Sequence, residues 1–342
     1  MKKEWEKILE DVEELGYVRW KNKRFQPDYR RPRFLSSVRN WETILDYLAQ
    51  ETTVLPDGDY FVTCYDGWRE YTDYEPLVHE RQHVNYLDLS ETDQKKLLQR
   101  GYGGEVRFIS PFPRRVYIQL PLPVLCFTRH RGDDNAILLP DHVFVRRECE
   151  DMIRRARRDS IPWRDKKSRV VWRGGDSRPL LHAHGNSFGG YSYLVDDYKK
   201  RCQDGEIVPY PIRDKMHCRE LAMIVSHDPR VSSILNLGYD FQSIEDMLQN
   251  RYVLDLDGCA SSWEGLRWKL GSGSVVWKLK SPWEQWYYHD LQPWIHYVPL
   301  PSLHPMDILA TFAWCETHPE ECQMILQHSS EFIDKLLLTT GG

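Results

Sequence analysis

The chain has 342 residues, of which 41% are hydrophobic, and a formal net charge of −5 at pH 7. This length suits two domains better than one, and the apolar content is sufficient for packed cores. A net negative chain gives no electrostatic reason to expect nucleic acid or an anionic membrane as a partner. The eight cysteines show no CxxC spacing, which is typical of reduced thiols rather than of a disulfide framework or a zinc site.

The ends of the chain give no sign of export. The N-terminus is charged and lacks an apolar signal core, the C-terminus has no KDEL-type sequence, and no apolar run approaches the length of a membrane span. These observations predict a cytoplasmic protein without a membrane span.

The first half of the chain has scattered signals. Helical periodicity is found at residues 5–15 and 41–49, and a basic stretch between them at 21–33 is interpreted as a surface connection. Apolar runs predict strands at residues 59–65, 124–128 and 142–145. A second basic run at residues 154–158 is interpreted as a solvated helix face.

The pattern becomes regular from about residue 161. Strands are predicted at residues 169–172, 252–256, 274–279 and 296–299, and helices at 218–225, 243–248 and through most of 306–338. Alternating strands and helices imply an α/β fold with a largely parallel sheet. Ligands of such sheets bind beyond the carboxyl ends of the strands. Three predicted strand ends carry polar turns with glycine, at residues 66–67, 173–175 and 257–258.

The turn after the strand at 169–172 has the composition of a phosphate site. Gly174 and Gly175 allow backbone N–H groups to approach a ligand, and Arg173 and Arg178 can each bind phosphate oxygens through a guanidinium fork. The alternative is an ordinary tight turn with solvated arginines.

The segment after the strand at 252–256 is a second candidate. A small-residue loop leads into a helix predicted to open at Ser261 or Ser262, with Glu264 in its first turn. Serines at a helix N-terminus either cap the helix or bind phosphate, and Arg267 and Lys269 then add positive charge. The alternative is a capped helix with a mixed surface.

Asp255 and Asp257 form a DxD pattern of the kind that holds Mn²⁺ against a sugar diphosphate. Hard carboxylate oxygens suit such ions, but the pattern also arises often by chance. The sequence has no P-loop, no HExxH spacing and no GxSxG elbow.

Several blocks in the second half resemble glycosyltransferase family 90. They are NRYVLDLDG at 250–258, SSWEGLR at 261–267, GSGSVV at 271–276, PWEQWYY at 282–288 and LQPWIHYVP at 291–299. Upstream, IPW at 161–163, WRG at 172–174 and CRELA at 218–222 also fit the family. The resemblance covers residues 161–301 well, and extends more loosely to 56–66 and 123–127.

This resemblance implies a GT-B architecture, in which two Rossmann-like domains face each other across a cleft. The expected limits are an acceptor-side domain at 1–155, a nucleotide-sugar-binding domain at 156–305 and a helical segment at 306–342. It also implies inverting transfer from a UDP-sugar, without a metal or other cofactor, to a hydroxyl of a glycan or glycoprotein. Xylose is the favoured sugar and glucose the next.

The resemblance places the general base at Asp66. The alternative is that Asp66 has only a structural role in a turn. The predicted donor-binding residues are Arg173, Gly174, Gly175, Arg178, Asp257, Gly258, Ala260, Ser261, Ser262, Trp263, Glu264 and Arg267. Asp59 and Glu70 are the next candidates for the base. Two alternative functions stay open. One is a non-catalytic carbohydrate- or nucleotide-binding protein of the same fold, and the other is a metal-dependent GT-A transferase that uses Asp255 and Asp257.

Overall fold

The computed structural model describes Glu6, Leu9, Thr92, Lys200 and residues 15–27, 32–50, 55–63, 67–69, 83–85, 88–90, 98–100, 105–108, 117–158, 161–175, 218–258 and 260–338. The chain divides into two compact units. Unit 1 comprises Met1–Arg146, Cys259–Ser261 and Pro282–Trp286, and unit 2 comprises Arg147–Gly258, Ser262–Ser281 and Tyr287–Gly342. The domain limits expected from the sequence stay predictions.

The described part of the chain contains seventeen strands. They are β1 Leu15–Lys21, β2 Arg24–Pro27, β3 Gly58–Thr63, β4 Gly67–Arg69, β5 His83–Asn85, β6 Leu98–Arg100, β7 Glu105–Phe108, β8 Tyr117–Gln119, β9 Val124–Cys126, β10 Thr128–His130, β11 Ala136–Leu138, β12 Lys167–Arg173, β13 Leu235–Gly238, β14 Asn250–Asp255, β15 Val275–Leu279, β16 Trp283–Gln285 and β17 Val298–Leu300.

Eight α-helices have described bounds. They are α1 Pro32–Gln50, α2 His142–Val145, α3 Cys149–Arg157, α4 Cys218–Val225, α5 Ile244–Met247, α6 Glu264–Leu270, α7 Pro305–Thr317 and α8 Pro319–Leu338. Within the described residues, no helix combines the length and the apolar character needed to cross a membrane.

Unit 1 contains mixed sheets. In the order β11-β9-β3-β1-β2, β1 is antiparallel to both of its neighbours, whereas β3, β9 and β11 are parallel. A second sheet has the order β16-β10-β4-β7-β6, and β5 pairs with β8. Helix α1 is fixed to the first sheet by Trp41, whose indole Nε1 donates to the Thr63 carbonyl at 2.9 Å and whose ring stacks on Phe127.

The interpretation of residues 21–33 as a surface connection is wrong at both of its ends, because β1 and β2 form a hairpin and α1 begins at Pro32. Asn22 and Lys23 join the two strands with φ angles of 51° and 57°. Two central residues with positive φ produce the twist that a two-residue hairpin loop requires, and asparagine tolerates that region. The turn lacks the glycine that usually signals it.

The strand predicted at residues 142–145 is also wrong, since these residues form α2. Asp141 caps the helix by accepting a hydrogen bond from the backbone N–H of Phe144 at 3.0 Å. The Phe144 side chain is buried against Trp286. A four-residue apolar run fits a strand and a buried helical turn equally well, so periodicity does not separate them.

The remaining predicted elements agree with the structure where it describes them. The strand at 59–65 is confirmed over Gly58–Thr63, and the strand at 296–299 is displaced to Val298–Leu300. Leu9 is helical and Leu15 already starts β1, while most of the first predicted helix lies outside the described residues. The basic run in α3 is solvated as expected, because Arg154, Arg155 and Arg157 pair with carboxylates at the surface.

Unit 2 is built on one parallel five-stranded sheet with the order β13-β12-β14-β15-β17. Val170 and Trp172 lie on one face of β12 and Val171 on the other, and all three are buried. Both faces of the sheet are therefore covered, which confirms the predicted α/β class for this unit. Helices α7 and α8 contribute Ile308 and Ile325 to the same core as the sheet.

The strand order contains a topological switch. The chain moves from β12 outward to β13, then returns to the other side of β12 to form β14. In open α/β sheets a crevice forms at such a point, beyond the carboxyl ends of the two strands. The parallel sheets agree with the α/β prediction, whereas the mixed sheets of unit 1 are not the parallel sheet expected of a Rossmann-like domain. The GT-B architecture stays a prediction.

Candidate functional site

The switch point brings together two of the predicted motifs. Strand β12 ends at Arg173 and continues into Gly174 and Gly175, while the neighbouring strand β14 ends at Asp255 and leads to Asp257. Because the strands are parallel, both turns emerge at the same edge of the sheet.

Arg219, in the first turn of α4, ties these two turns together. Its Nε donates to the Asp257 carbonyl at 2.9 Å and its Nη1 donates to the Gly175 carbonyl at 2.8 Å. The guanidinium lies 5.4 Å from the centre of the Trp172 ring. Arg219 was not among the donor-binding residues predicted from the sequence. Its position in the first turn of a predicted helix could have indicated a role. The helix dipole disfavours a positive charge there, so an arginine at this position suggests that it has another partner.

The two glycines after β12 differ in their surroundings. A Cβ on Gly174 would lie 2.5 Å from the Trp172 ring, so packing requires glycine there. A Cβ on Gly175 would meet nothing within 4 Å. The position of a Cβ at Gly175 is therefore open space, and the predicted ligand contact of this turn stays a prediction.

A pocket of about 530 Å³ lies at the ends of β12 and β13, entirely within unit 2. This volume falls in the usual range for small-molecule sites. Its wall is mainly aromatic and apolar, and it includes Phe241, whose side chain is 91% exposed. The lining residues are Met152, Arg155, Arg173, Gly174, Gly175, Tyr239, Asp240, Phe241, Gln242, Ser243, Ile244, Met247 and Trp268.

Arg173 lies at this pocket with much of its guanidinium engaged. Nη1 donates to the carbonyls of Trp172 and Asn236, and Nη2 donates to the Asn236 amide oxygen at 2.8 Å. Nε lies 3.1 Å from a carboxylate oxygen of Asp240. The side chain is only 9% exposed. Arg173 is therefore a fixed positive charge, not a solvated surface arginine.

Asp255 sits in a buried charge cluster. One carboxylate oxygen accepts hydrogen bonds from Ser262 Oγ and Lys269 Nζ, both at 2.8 Å, and the other accepts from Lys278 Nζ at 3.2 Å. Burial acts to raise the pKa of Asp255, but the two ammonium groups and these hydrogen bonds outweigh it and hold the pKa well below its ordinary value. Asp255 is thus an ionised group whose two oxygens are already satisfied by protein donors.

Asp257 has a different environment two residues later. Its Oδ2 accepts a hydrogen bond from Ser281, while its Oδ1 is buried and makes no hydrogen bond. Burial raises the pKa of Asp257, an effect that Lys278 only partly offsets. Burial, helped by the charge of Asp257, also raises the pKa of the Cys218 thiol to about 12. Cys218 is therefore no thiolate nucleophile at neutral pH.

The serines of the second motif do not cap a helix, contrary to one of the two interpretations. Helix α6 begins at Glu264, and Ser262 donates to Asp255 instead. Ser261 shares a hydrogen bond with Thr128 in unit 1 at 2.8 Å. Between them and the helix, Trp263 adopts a φ of 41°, a strained conformation for a tryptophan. Ala260 is buried.

Arg267 has no exposed surface, although the sequence predicted a phosphate contact for it. Its guanidinium lies 5.9 Å from the centre of the Tyr287 ring, inside unit 2. The structure therefore gives Arg267 a place in the packing of α6.

The predicted base Asp66, the arginine Arg178 and the second-choice base Glu70 lie outside the described residues. Asp59, the other second choice, accepts hydrogen bonds from the Tyr17 hydroxyl at 2.6 Å and from Arg19 Nε at 2.8 Å. Both carboxylate oxygens of Asp59 therefore already accept hydrogen bonds from protein donors. In the part of the chain that the structure describes, no group of three or more His, Cys, Asp or Glu side chains is arranged to hold a metal ion.

Comparison with known proteins connects this geometry to a family. Residues 211–340, which include Arg219 and the second motif, match the model of Glycosyl transferase family 90. This part of the chain is therefore similar to that family. The resemblance seen in the sequence motifs is therefore confirmed over these residues, while the glycosyltransferase activity predicted from it stays a proposal.

Curated relatives share parts of the chain. Protein O-glucosyltransferase 2 of Danio rerio is 32% identical over 90 residues, or 26% of this chain and 18% of the relative. The O-glucosyltransferase rumi of Drosophila pseudoobscura pseudoobscura is 32% identical over 94 residues, 27% of this chain and 22% of the relative. Uncharacterized protein 179R of Invertebrate iridescent virus 6 is 24% identical over 230 residues, 61% of this chain and 18% of the relative. The chain thus spans about a fifth of the length of these relatives.

Proposed function

We propose that this protein transfers a sugar from a UDP-sugar to a hydroxyl of a glycan or protein acceptor, with the donor bound at the carboxyl edge of the unit 2 sheet. The observation that carries the proposal is the coincidence at that edge of a topological switch, a pocket of about 530 Å³, two glycines and the side chains of Arg173 and Arg219.

The chemistry of the proposed donor fits these groups. Breaking the bond between sugar and diphosphate places negative charge on the leaving group while the sugar becomes oxocarbenium-like. Backbone N–H groups in the Gly174-Gly175 turn, together with two fixed guanidinium groups, stabilise that charge without reorganising. The apolar wall, which includes Tyr239 and Trp268, provides flat surface against which the nucleobase packs.

The state of Asp255 disfavours the metal-dependent alternative. A DxD site needs carboxylate oxygens that are free for a hard cation, whereas the oxygens of Asp255 already accept hydrogen bonds from two lysines and a serine. Moving them to a metal ion would leave Lys269 and Lys278 buried without their counter-charge. We therefore propose that the diphosphate is neutralised by arginine rather than by a metal ion.

The identity of the sugar and the stereochemistry also belong to this proposal. Two relatives are named O-glucosyltransferases, which favours UDP-glucose, whereas the resemblance seen in the sequence favours UDP-xylose. We place glucose first and xylose second. The inverting mechanism, the GT-B architecture, the role of Asp66 as base and a cytoplasmic location are carried over from the sequence and complete the proposal.

The test is UDP binding followed by donor turnover. Calorimetry with UDP in EDTA should show binding, and a hydrolysis panel of UDP-sugars should give the highest rate with UDP-glucose or UDP-xylose. Binding that appears only with Mn²⁺ would transfer support to the metal-dependent alternative. Binding without hydrolysis of any donor or transfer to any acceptor would support a non-catalytic binding protein.

A further inference from the structure

The ion pair between Arg173 and Asp240 stands at the entrance of the proposed donor pocket. Arg173 is buried, with 9% of its side chain exposed, whereas 65% of the Asp240 side chain is exposed. Of the guanidinium nitrogens, Nη1 and Nη2 donate to Trp172 and Asn236, and Nε makes no hydrogen bond. Nε is therefore the guanidinium nitrogen of Arg173 without a hydrogen bond, and the Asp240 carboxylate lies 3.1 Å from it.

The backbone is shaped for this contact. Gly238 ends β13 directly beside Arg173 of β12. A Cβ at Gly238 would lie 2.1 Å from Asp240 Oδ1 and 3.3 Å from Arg173 Nε. Only glycine at this position lets the carboxylate fold back onto the guanidinium.

We propose that Asp240 is an internal competitor for the anionic part of the donor. Its carboxylate occupies Arg173 Nε in the free protein, and the donor's diphosphate takes that place on binding, so that Asp240 swings into solvent. This rests on the proposed function, because it assigns the diphosphate to Arg173. Asp240 is then a residue that sets donor affinity, and it does so through Arg173.

Two features favour replacement of Asp240 by the diphosphate over a permanent ion pair between Arg173 and Asp240. Asp240 is mostly solvated, so releasing it from Arg173 leaves no buried unpaired charge behind. An ion pair with one exposed partner contributes little, and a diphosphate with more negative charge and more acceptor oxygens outcompetes a single carboxylate. Removing the competitor should thus tighten binding of an anion modestly, by about 1.5- to 5-fold, the range that corresponds to an exposed ion pair.

The experiment compares Asp240→Asn with wild type by calorimetry, using UDP and uridine as probes in EDTA. Asparagine keeps the size of the side chain and removes its charge. The matched control is Asp334→Asn, since Asp334 is also about half exposed and pairs with an arginine of unit 2, Arg157, away from the pocket. We expect a UDP dissociation constant about 1.5- to 5-fold lower in Asp240→Asn, with uridine affinity unchanged and the control equal to wild type.

A double variant separates competition from simple repulsion. In an Arg173→Gln background, whose folding is checked by thermal unfolding, Asp240→Asn should no longer tighten UDP binding. Three results would contradict the proposal that Asp240 competes with the donor. They are a gain in UDP affinity that persists in the Arg173→Gln background, an equal gain in uridine affinity, and weaker UDP binding by Asp240→Asn alone. If wild type and Asp240→Asn bind UDP equally well, the proposed role of Asp240 is wrong and the proposed donor site is unaffected. If neither protein binds UDP, with or without Mn²⁺, the proposed donor site fails with it.

Discussion

Replacing Asp255 with asparagine tests whether this residue is a structural charge or a metal ligand. The side chain is fully buried and lies between Lys269 and Lys278, which are each 8% exposed. Asparagine keeps the shape but leaves two ammonium groups buried without a counter-charge. Breaking a buried pair in this way costs about 3–5 kcal/mol. For a unit of this size, that loss corresponds to a fall in Tm of roughly 6–20 °C.

The assay is thermal unfolding followed by circular dichroism, with urea unfolding as a second measure. The exposed pair of Arg157 and Asp334 provides the control, because Asp334→Asn should cost no more than about 1 kcal/mol. Adding Lys278→Met to Asp255→Asn should recover part of the loss, since one unpaired ammonium group is removed. A fall in Tm as small as that of the control would refute the idea that Asp255 stabilises the fold as the counter-charge of Lys269 and Lys278.

The pH dependence of stability gives a further readout of the same residue. The pKa of Asp255 is lower in the folded protein than the ordinary value near 3.9, so its contribution is complete above that value. The contribution is lost as the pH falls below about 4 toward the folded pKa. Wild type should therefore lose more stability than Asp255→Asn in this acidic window. Parallel curves for the two proteins would contradict the lowered pKa.

Three further predictions concern the site. Arg219→Ala should weaken UDP binding at least about 10-fold in calorimetry, since it removes a positive charge and two hydrogen bonds that fix the site's turns; unchanged affinity would exclude Arg219 from the site. Arg267→Met should lower Tm by less than Asp255→Asn, because a buried arginine is replaced by an apolar chain of similar length. Its UDP affinity should stay within about 2-fold of wild type. A selective loss of UDP binding would instead support the phosphate contact predicted from the sequence. Asp66→Asn should lower transfer by about 10²–10⁴-fold at nearly unchanged UDP affinity, and the wild-type product should be β-linked by NMR; an active variant would place the base elsewhere.

Local sequence patterns predicted four of the five strands in the sheet of unit 2 and the two turns at its edge, but not the edge strand β13. Strand periodicity and the glycines that follow it are local properties, and the rule for parallel sheets then places Gly175 and Asp257 at one edge. The side-chain partners at this edge depend on residues distant in the sequence. Arg219 reaches Asp257 across 38 positions and Arg173 reaches Asn236 across 63, and no spacing in the sequence predicts such pairs.

The elements that were mispredicted were decided by competing local interactions. The hairpin at Asn22 and Lys23 needs positive φ angles that no glycine announced, and the helix at His142–Val145 depends on a cap from Asp141 and on packing around Phe144. The burial of Arg267 was not foreseen from the sequence, and its phosphate contact stays a prediction. Its guanidinium lies 5.9 Å from the centre of the Tyr287 ring, a neighbour that its charge did not indicate.

The contrast between Asp255 and Asp257 bears most directly on mechanism. Two lysines hold the pKa of Asp255 below its ordinary value, whereas burial raises the pKa of Asp257, so the two residues do not behave as a matched pair of ligands. The lysines that neutralise Asp255 come from helix α6 and strand β15, and the turn at Asp257 is held by Arg219 of α4. Positive charge at this edge is thus supplied by side chains already fixed in place. This construction supports the proposal that a diphosphate binds through pre-positioned arginine and not through a metal ion at the DxD pattern.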